Sequence, residues 1–522
     1  MCIKTTMRIG IDVGGTNTDA VLMEGHRVID WYKTPTTPDV STGITTALKN
    51  VLEQTDTSVD RIDGVMIGTT HFTNAVVERK RLMPTAAIRL GLPATECLPP
   101  MVDWPPDLRE AIGNHTYLAH GGHEFDGRTI STFDEGEIRE ICGQIKDQGV
   151  RAIAISSVFS PVSPEFEQRA AEIVRDEIPE ATITLSYDIG RIGLLERENA
   201  AIMNACLGDL ARAIVRSFEG ALREMGIDAP FYLSQNDGTL MGAEYAEKYP
   251  VFTFASGPTN SMRGAAFLSG AKDAAVVDLG GTTSDVGMLS GGFPREASVA
   301  VDIGGVRTNF RMPDVYSFGL GGGSIVKRSP LQIGPQSVGY ELTTKGLIFG
   351  GSVLTTTDMA VAGGLVDIGD KEAVASLDKD FVETVLEAIQ TKIDVAVDRM
   401  KTSAQPIPVI VVGGGSILVS RPIEGASEMI KPDHFSVANA IGAAIAQVGG
   451  ETDRIFALAE MSRDEALDQA RQEAVGRAVA AGADKETVEI VDVEEVPLTY
   501  LPSNATRIRV KAVGDLRLSQ GE

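Results

Sequence analysis

One eight-residue pattern occurs twice in the chain and constrains its fold more than any other feature. The pattern is Asp-x-Gly-Gly-Thr-x-x-Asp, and its copies run from Asp12 to Asp19 and from Asp278 to Asp285. The copies begin 266 residues apart in a chain of 522 residues. An apolar run precedes each copy, which indicates a β-hairpin with a glycine-rich tip. A repeat at half-chain distance predicts two lobes of related construction, each with one such hairpin.

The residue types of this pattern suit a phosphate group. A glycine pair lets backbone N–H groups turn toward an anion because no Cβ is in the way, and the neighbouring threonine adds a hydroxyl donor. The carboxylates of Asp12 and Asp278 suit Mg²⁺, which takes one or two carboxylates and keeps several waters. The alternative is that each glycine pair forms only a hairpin turn, but two copies in the same context disfavour it. The predicted phosphate-binding residues are Gly14, Gly15, Thr16, Asn17, Thr18, Gly280, Gly281, Thr282 and Thr283.

The remainder of the chain predicts an α/β protein. Strand-like runs alternate with helical stretches, such as 164–178 and 194–225, as in sheets covered by helices. Apolar residues at helical spacing predict a long helix over 381–400, which leads into a buried strand at 409–412. Beyond residue 450 we expect a charged helix over 462–481 and two short strands, which together form a capping segment.

Five segments follow one another in a characteristic order. Between and after the hairpins lie two stretches rich in small residues, 256–266 and 439–444, and a third glycine-rich loop at 411–416. In this order the segments resemble the actin-like ATPases, which include sugar kinases and heat-shock chaperone ATPases. The resemblance implies a two-lobed, ribonuclease H-like α/β fold with duplicated sheets, and ATP bound between the hairpins, which become phosphate loops one and two. It further implies helices that cross closely between the lobes, and an adenosine loop formed by Gly413, Gly414, Gly415 and Ser416.

A narrower resemblance rests on four segments. They are 8–19, 68–80 (Gly-Thr-Thr-His-Phe-Thr-Asn and the residues after it), 121–127 and 317–325, and the similarity extends from Met7 to about Gly450. These segments resemble the A-type subunit of the hydantoinase/oxoprolinase family. The resemblance implies ATP-dependent opening of a small-molecule cyclic amide, or activation of a related carbonyl. It also implies a B-type partner subunit, an oligomeric assembly, and a chain shorter than many A subunits.

The resemblance suggests a role for each acidic residue of the pattern. Asp12 and Asp278 would organise Mg²⁺, and Asp19 or Asp285 would orient the nucleophile or a metal-bound water. Phosphorylation of the amide oxygen would make the carbon electrophilic and the nitrogen a better leaving group, and catalysis would consist mainly of positioning and charge neutralisation. Two rival hypotheses stay open: a small-molecule kinase that releases a phosphorylated product, and a nucleotide-gated binding module without substrate chemistry.

Two further sets of polar residues are candidates. Thr69, Thr70, His71 and Asn74 lie at a predicted strand-to-helix turn, where they would hold a substrate carbonyl or a phosphate, or the two threonines would only cap the helix to Lys80. His120, His123 and Asp126 have a spacing that suits a metal ion, although such residues in a glycine-rich loop more often form turn hydrogen bonds. The glycine run Gly321 to Ser324 would form either an anion-binding nest or a flexible loop.

Composition excludes several classes of function. The formal charge of -25, with no Lys/Arg-rich stretch, disfavours nucleic acid as a partner. The four cysteines lie far apart without a CxxC pair, which argues against a disulfide framework. The sequence contains neither a secretory signal nor a run long enough to cross a membrane, so we expect a cytoplasmic protein. We expect three segments: 7–190 with phosphate loop one, 191–450 with phosphate loop two and the adenosine loop, and 451–522 at the C-terminus.

Overall fold

The structure is a computed structural model that describes residues 6–36, 40–125, 127–297, 300–459, 461–499 and 504–517. Within these ranges the fold is mixed α/β, as the sequence predicts. The strands are β1 (Met7–Val13), β2 (Asn17–Glu24), β3 (Arg27–Pro35), β4 (Gly64–Thr69), β5 (Thr85–Leu92), β6 (His115–His120), β7 (Ala152–Ser157), β8 (Thr182–Leu185), β9 (Phe231–Ser234), β10 (Thr239–Gly242), β11 (Ala274–Leu279), β12 (Ser284–Ser290), β13 (Phe293–Pro294), β14 (Val301–Ile303), β15 (Val306–Thr308), β16 (Val315–Phe318), β17 (Ser324–Arg328), β18 (Leu331–Ser337), β19 (Ile407–Val412), β20 (Ala426–Ile430), β21 (Gln447–Ala457), β22 (Glu489–Pro497) and β23 (Ala505–Gly514).

The helices cover both faces of the main sheets. They are α1 (Val40–Thr55), α2 (His71–Glu78), α3 (Pro106–Ile112), α4 (Glu135–Asp147), α5 (Glu165–Glu177), α6 (Leu194–Cys206), α7 (Gly208–Glu224), α8 (Ala243–Lys248), α9 (Ser256–Ser269), α10 (Leu342–Lys345), α11 (Thr356–Ala362), α12 (Lys379–Met400), α13 (Ala438–Ala444) and α14 (Arg463–Ala480). In the described part of the chain, no helix combines the length and apolarity needed to cross a bilayer.

The first predicted hairpin lies within a nine-stranded sheet. The order of its strands is β22-β23-β21-β10-β9-β4-β1-β2-β3. Strand β1 pairs with β2 in antiparallel register and with β4 in parallel register, which places Asp12 opposite Asp19 beside the hairpin tip. Residues of β1, β2 and β4 are almost entirely buried, since helices cover the sheet. The tip therefore projects from a rigid base.

The second hairpin repeats this arrangement in a smaller sheet. Its order is β13-β12-β11-β19-β20, with β16 paired to β12. Strand β11 pairs with β12 in antiparallel register and with β19 in parallel register, and Asp278 lies opposite Asp285. Hairpin, neighbouring parallel strand and acidic pair are thus present twice, which confirms the predicted duplication.

Two short helices, α9 and α13, cross between the sheets. A Cβ at Gly442 would overlap the carbonyl oxygen of Asn260, and a Cβ at Gly264 would overlap that of Ala438. Gly10 on β1 lies equally close to the carbonyl of Ala440. The small residues predicted for these helices therefore permit backbone-to-backbone contact.

The predicted helix over 194–225 is two helices. α6 ends at Cys206 and α7 begins at Gly208, and Leu207 between them is fully buried. α6 is buried on nearly every face, whereas α7 is amphipathic, so the two helices belong to different layers. Gly208 is the local signal for this break, but a single glycine is also tolerated within a continuous helix.

The C-terminal segment extends the larger sheet. α14 begins with a capping box at Ser462 and ends at Ala480, close to the predicted bounds. The strands predicted at 487–491 and 507–510 are longer, at Glu489–Pro497 and Ala505–Gly514, and they add to the sheet through β21. A separate parallel sheet, in the order β6-β5-β7-β8, lies in the N-terminal third of the chain. The segment bounds at residues 190 and 450 stay a prediction.

Candidate nucleotide site

The two glycine-rich tips adopt the same turn and face each other. The amide of Gly14 donates to the carbonyl of Asn17, and the amide of Gly280 donates to that of Thr283, at 3.0 Å in both loops. Between the tips, the hydroxyl oxygens of Thr16 and Thr282 are 3.2 Å apart. Residues separated by half the chain therefore form one site, with phosphate loop one on one side and phosphate loop two on the other.

Behind loop one, two polar side chains lie beside the pair formed by Asp12 and Asp19. The side-chain amide of Asn439, at the start of α13, donates to Asp12 Oδ2 at 2.8 Å and to Asp19 Oδ2 at 3.1 Å. Lys33 Nζ lies 2.9 Å from Asp19. Burial and the nearby charge of Asp19 raise the pKa of Asp12 to about 7, although the bond from Asn439 opposes this rise. Asp12 is thus a buried carboxyl that titrates near neutrality.

Behind loop two, the acidic pair is arranged in a similar way. Ser317 on β16 donates from its hydroxyl to Asp285. Burial raises the pKa of Asp285 to about 7, and the nearby charge of Asp278 adds to the rise. Burial also raises the pKa of Asp278, opposed first by a hydrogen bond from Ser261 on α9. Each crossing helix therefore sends a polar side chain to the acidic residue at the base of one loop.

The predicted adenosine loop lies against phosphate loop two. Gly413 has a φ of 85°, and a Cβ there would overlap the side chain of Asp278 and the backbone of Leu279. A Cβ at Gly415 would similarly meet the backbone of Gly280. At Gly414, by contrast, no atom lies within 4 Å of the Cβ position, and this residue is exposed. Ser416 is buried, and its hydroxyl has no partner among the described residues.

Several atoms of the site suit a polyphosphate and its cation. Gly15 at the tip of loop one is exposed, with no atom within 4 Å of its Cβ position, so its backbone is open to approach. Asp12 Oδ1 is buried without a hydrogen-bond partner, as are both side-chain polar atoms of the fully buried Asn260. A Cβ at Gly68 would touch both side chains, so the two line one small space. No cluster of three or more acidic, histidine or cysteine ligands is found in the described ranges.

The remaining residues of loops one and two differ in burial and in their contacts. Asn17 contributes its carbonyl to the turn, and Thr283 is exposed beside the site. Thr18 is fully buried, and its hydroxyl lies 3.4 Å from that of Thr36. Thr36 also donates to the carbonyl of Gly14 at 2.7 Å, which braces loop one from behind. The side chain of Thr18 therefore supports the loop from the protein interior.

The run Gly321 to Ser324 is neither of the two structures expected for it. Its amides donate to phosphate loop two, from Gly322 to the carbonyl of Gly280 at 3.1 Å and from Gly323 to that of Gly281 at 2.7 Å. The run is buried, and threonine hydroxyls of α11 donate to its carbonyls. Because these amides are occupied, the run is a support beneath loop two, and the anion-nest and flexible-loop hypotheses are both wrong.

The Thr69–Asn74 turn lies beside loop one. Thr70 donates from its amide to the carbonyl of Val13 at 3.4 Å, and Ser256 at the start of α9 donates to the carbonyl of Thr69. Thr70 occupies the N-cap position of α2 but makes no side-chain cap bond, and the helix ends at Glu78 rather than Lys80. Nδ1 of His71 lies 2.7 Å from the Thr69 hydroxyl, and burial lowers the pKa of His71 to about 4. A neutral imidazole therefore adjoins the phosphate loop.

The histidines of the other candidate set have separate surroundings. His120 pairs with Glu137 at 3.2 Å, whereas His123 is buried against the ring of Phe166. Asp126 lies outside the described residues. Neither histidine shares a ligand cluster within the described ranges.

Lys33, Asn260, Ser261 and Asn439 are the site residues that sequence reasoning missed. Lys33 reaches Asp19 only because β2 and β3 pair those two residues. The others lie on helices that the sequence did locate, and polar residues amid small ones were the available signal. The role of these three residues follows only from the structure, in which their helices face the acidic pairs.

Comparison with known proteins identifies the family of the chain. Residues 8–178 match the family model described as the hydantoinase/oxoprolinase N-terminal region, and residues 197–449 match the one described as hydantoinase/oxoprolinase. The chain is 26% identical over 424 residues to the caprolactamase subunit alpha of Pseudomonas jessenii, covering 75% of this chain and 59% of that protein. It is 29% identical over 400 residues to the acetophenone carboxylase gamma subunit of Aromatoleum aromaticum, covering 69% and 53%.

A solved structure shares the fold. The crystal structure of the ATP-dependent caprolactamase from Pseudomonas jessenii superposes with a TM-score of 0.79 at 20% identity, and the match covers 98% of this chain and 88% of that one. The predicted α/β fold with duplicated sheets is confirmed. The chain spans little more than half the length of the two curated relatives.

Proposed function

Because the chain belongs to the hydantoinase/oxoprolinase family, we propose that it phosphorylates the carbonyl oxygen of a cyclic amide with ATP, and so enables hydrolysis of the ring. The observation that carries the proposal is the meeting of the two phosphate loops at Thr16 and Thr282, with one acidic pair behind each loop. Phosphoryl transfer needs donors on several sides of one phosphate, because its charge is spread over three oxygens. Two facing glycine tips supply such donors.

The proposed roles follow from burial and open space. Gly15 and Gly281 at the two tips receive the β- and γ-phosphates, and the adenosine loop receives the nucleoside beside Gly414. The open backbone at Gly15 supports close approach of a phosphate. Thr69, Thr70, His71 and Asn74, beside loop one, are proposed to hold the substrate, since they adjoin the same tip.

Asp12 and Asp278 are proposed to hold Mg²⁺ through water. The unpartnered Oδ1 of Asp12 supports this assignment, because a buried carboxylate oxygen needs a hydrogen bond or a cation. When bound, Mg²⁺ would neutralise charge on the phosphates and so lower the barrier to transfer. Asp19 and Asp285 are proposed to orient the waters around it, with Lys33 and Ser317 holding those carboxylates in place.

The proposed reaction consumes one ATP and two waters for each ring that opens. The amide oxygen attacks the γ-phosphorus, the bond between the β- and γ-phosphates breaks, and ADP leaves with an O-phosphorylated imidate remaining. One water adds to the imidate carbon and the C–N bond breaks, giving an amine and an acyl phosphate. A second water cleaves the acyl phosphate to carboxylate and inorganic phosphate. The water steps are assigned to a B-type partner subunit, in a cytoplasmic assembly.

A second candidate shares the first step. The acetophenone carboxylase subunit is as similar to this chain as the caprolactamase subunit is, and its substrate is a ketone. In that case the loops would phosphorylate the oxygen of an enol. The α-carbon would then bond to carbon dioxide as water cleaves the O–P bond, giving a β-keto carboxylate and inorganic phosphate. The chemistry of the chain itself, transfer of a phosphoryl group to a carbonyl oxygen, is common to both.

One assay distinguishes these candidates from the two rival hypotheses. Purified chain is incubated with ATP, Mg²⁺ and hydantoin, 5-oxoproline, caprolactam or acetophenone with bicarbonate, while ADP, phosphate and organic products are followed. We expect ADP formation stimulated at least about 10-fold by one cyclic amide. A stable phosphorylated product would instead indicate a kinase, and stimulation by acetophenone alone a carboxylase-type role. Absence of stimulation by every compound, also with a B-type subunit added, would indicate a binding module.

A further inference from the structure

A large cavity lies away from the phosphate loops. Its volume is about 870 Å³, and it is enclosed by residues 187–192, the β9–β10 turn, β21, β23 and the C-terminal end of α14. None of its lining residues belongs to the phosphate loops or the adenosine loop. A volume of this size is typical of sites that bind small molecules.

The cavity has an aromatic wall. Four rings line it, those of Tyr187, Tyr245, Phe252 and Phe310. Tyr245 and Phe252 are stacked with centroids 6.2 Å apart, and Phe252 meets Phe310 edge-on at 6.4 Å. Such a surface suits the apolar body of a ligand, because burial of an apolar group against rings removes both from water.

Another part of the cavity wall carries cations. Arg507 and Lys511 on β23 line the cavity, as do Arg191 and Arg311. Burial lowers the pKa of Arg191, and the neighbouring charges of Arg509 and Arg507 lower it further. The charges of Lys511 and Arg311 also hold the pKa of Asp237 well below its usual range, against the effect of its burial. Carboxylates also line this wall and pair with its cations, Asp237 with Lys511 at 2.9 Å and Glu451 with Arg311.

Arg191 is the cation of this wall with spare donors. Its guanidinium lies 3.6 Å from Glu296 and 3.9 Å from Asp453, beyond hydrogen-bond distance. Those carboxylates are held more closely by others, Asp453 by Arg507 and Glu296 by Arg509. The guanidinium of Arg191 donates no hydrogen bond to any described residue. Nearby, Arg311 Nε is buried and also without an acceptor within the described ranges.

Helix α9 separates this cavity from the nucleotide site. Thr259 donates to the carbonyl of Asn236 in the cavity wall, whereas the next two residues, Asn260 and Ser261, face the acidic residues behind the loops. A helix with its side chains is about 10 Å across, so the two sites are distinct neighbours. A ligand of the cavity would not occupy the position of a phosphate.

We propose that this cavity binds an organic carboxylate, whose charged end accepts hydrogen bonds from Arg191 and whose apolar body lies against the aromatic wall. Guanidinium groups recognise carboxylates through paired, charge-assisted hydrogen bonds, and the spare donors of Arg191 supply them. This inference does not depend on the ATP-dependent activity proposed above.

Binding of 3-phenylpropanoate, measured by isothermal titration calorimetry without nucleotide, tests the proposal. We expect saturable binding that is at least about 10-fold tighter than that of 3-phenylpropanamide, which has the same body without the charge. Arg191→Gln should weaken the carboxylate at least about 10-fold and leave the amide unchanged. Arg471→Gln is the matched control, because Arg471 lies on the exposed side of α14, where among the described residues it pairs only with Asp468, at 3.4 Å.

Four results would overturn the assignment. They are absence of saturable binding up to about 10 mM, equal affinity for acid and amide, equal affinity in Arg191→Gln and Arg471→Gln, and equally tight binding of inorganic phosphate. The last would indicate a site for any anion rather than one for a carboxylate with an apolar body. If Arg191→Gln does not fold, as judged by its thermal melt, the comparison of acid with amide in the unaltered protein decides.

Discussion

Asp12 has two oxygens in different surroundings. Oδ2 accepts a hydrogen bond from Asn439, whereas Oδ1 is buried without a partner. With a pKa of about 7, this carboxyl is partly protonated at neutral pH. A divalent cation nearby would favour the ionised form, since an opposite charge offsets the cost of burial. The residue is therefore suited to respond to the arrival of a nucleotide with its cation.

Replacement of Asp12 by Asn tests its electrostatic role. The change keeps the size of the side chain and removes its charge, so we expect ATP turnover to fall at least about 100-fold, as for loss of a preorganised electrostatic partner. Steady-state release of phosphate measures this. Asp60→Asn, at an exposed position, is the control and should retain full turnover. Turnover of Asp12→Asn within a few-fold of the unaltered protein would make Asp12 structural.

The same variant makes a prediction about stability and pH. The folded protein holds a proton on Asp12 up to about pH 7, whereas the unfolded chain releases it near the ordinary aspartate pKa of 3.8. This group therefore makes the free energy of unfolding fall as pH rises between these values. Asp12→Asn removes that effect, which is on the order of 4 kcal/mol over the whole interval. Without nucleotide or divalent ions, its melting temperature relative to the unaltered protein should rise from about pH 5 to about pH 7.5. A difference independent of pH would contradict the raised pKa.

Gly15 offers a clean test of the phosphate loop. No atom lies within 4 Å of its Cβ position, so Gly15→Val should leave the melting temperature unchanged. The side chain would occupy the space through which a phosphate approaches the backbone, and we expect ATP affinity to fall at least about 10-fold. Calorimetric titration with ATP measures this. Gly220→Val, also with open space at its Cβ position but on the exposed face of α7, should bind ATP normally. Equal affinity in both variants would remove loop one from the nucleotide site.

Among the elements, the two hairpins were the most predictable and their surroundings the least. Strand, glycine tip and strand are local in sequence, so the pattern of eight residues specifies them. Lys33 contacts Asp19 through the register of β2 and β3, and Asn439 reaches Asp12 from 427 residues away. The support given by Gly321 to Ser324 likewise depends on carbonyls of loop two. Contacts that arise only when distant elements pack have no signature in one sequence.

The crossing of α9 and α13 allows a prediction at this scale. A Cβ at Gly442 would overlap the backbone of Asn260, so even Gly442→Ala should destabilise the protein by about 1–3 kcal/mol or more. Gly442→Leu would overlap this backbone even more, so a loss of activity in that variant could not be ascribed to lobe closure alone. Gly476→Ala is the matched control: this residue lies within α14 with open space around it, and alanine there should stabilise by about 0.5–1 kcal/mol. Urea denaturation measures both, and a neutral Gly442→Ala would contradict the close crossing.

For the whole molecule, the contact between Thr16 and Thr282 means that the lobes meet at the tips of their phosphate loops. A Cβ at Gly281 would lie 3.0 Å from the methyl carbon of Thr16, so little space separates the tips. A polyphosphate that binds between them requires the lobes to part. The crossing helices α9 and α13 connect the two sheets and also contact the acidic pairs. Parting of the lobes would therefore change the surroundings of these carboxylates.

A reversible cross-link tests whether ATP enters between the lobes. In a Thr16→Cys, Thr282→Cys protein, oxidation should join the two tips, because the replaced hydroxyl oxygens are 3.2 Å apart. We expect the oxidised form to lose ATP turnover at least about 10-fold and a reductant to restore it, as for a lobe motion that gates the site. Cys2 and the exposed Cys97 are first replaced by serine, whereas Cys142 and Cys206 stay, because burial raises the pKa of their thiols to about 11 and about 12. In each single-cysteine variant, turnover should be the same before and after treatment with the oxidant. Full turnover in the cross-linked protein would place nucleotide entry elsewhere, since ATP would then reach its site without any separation of the two loops.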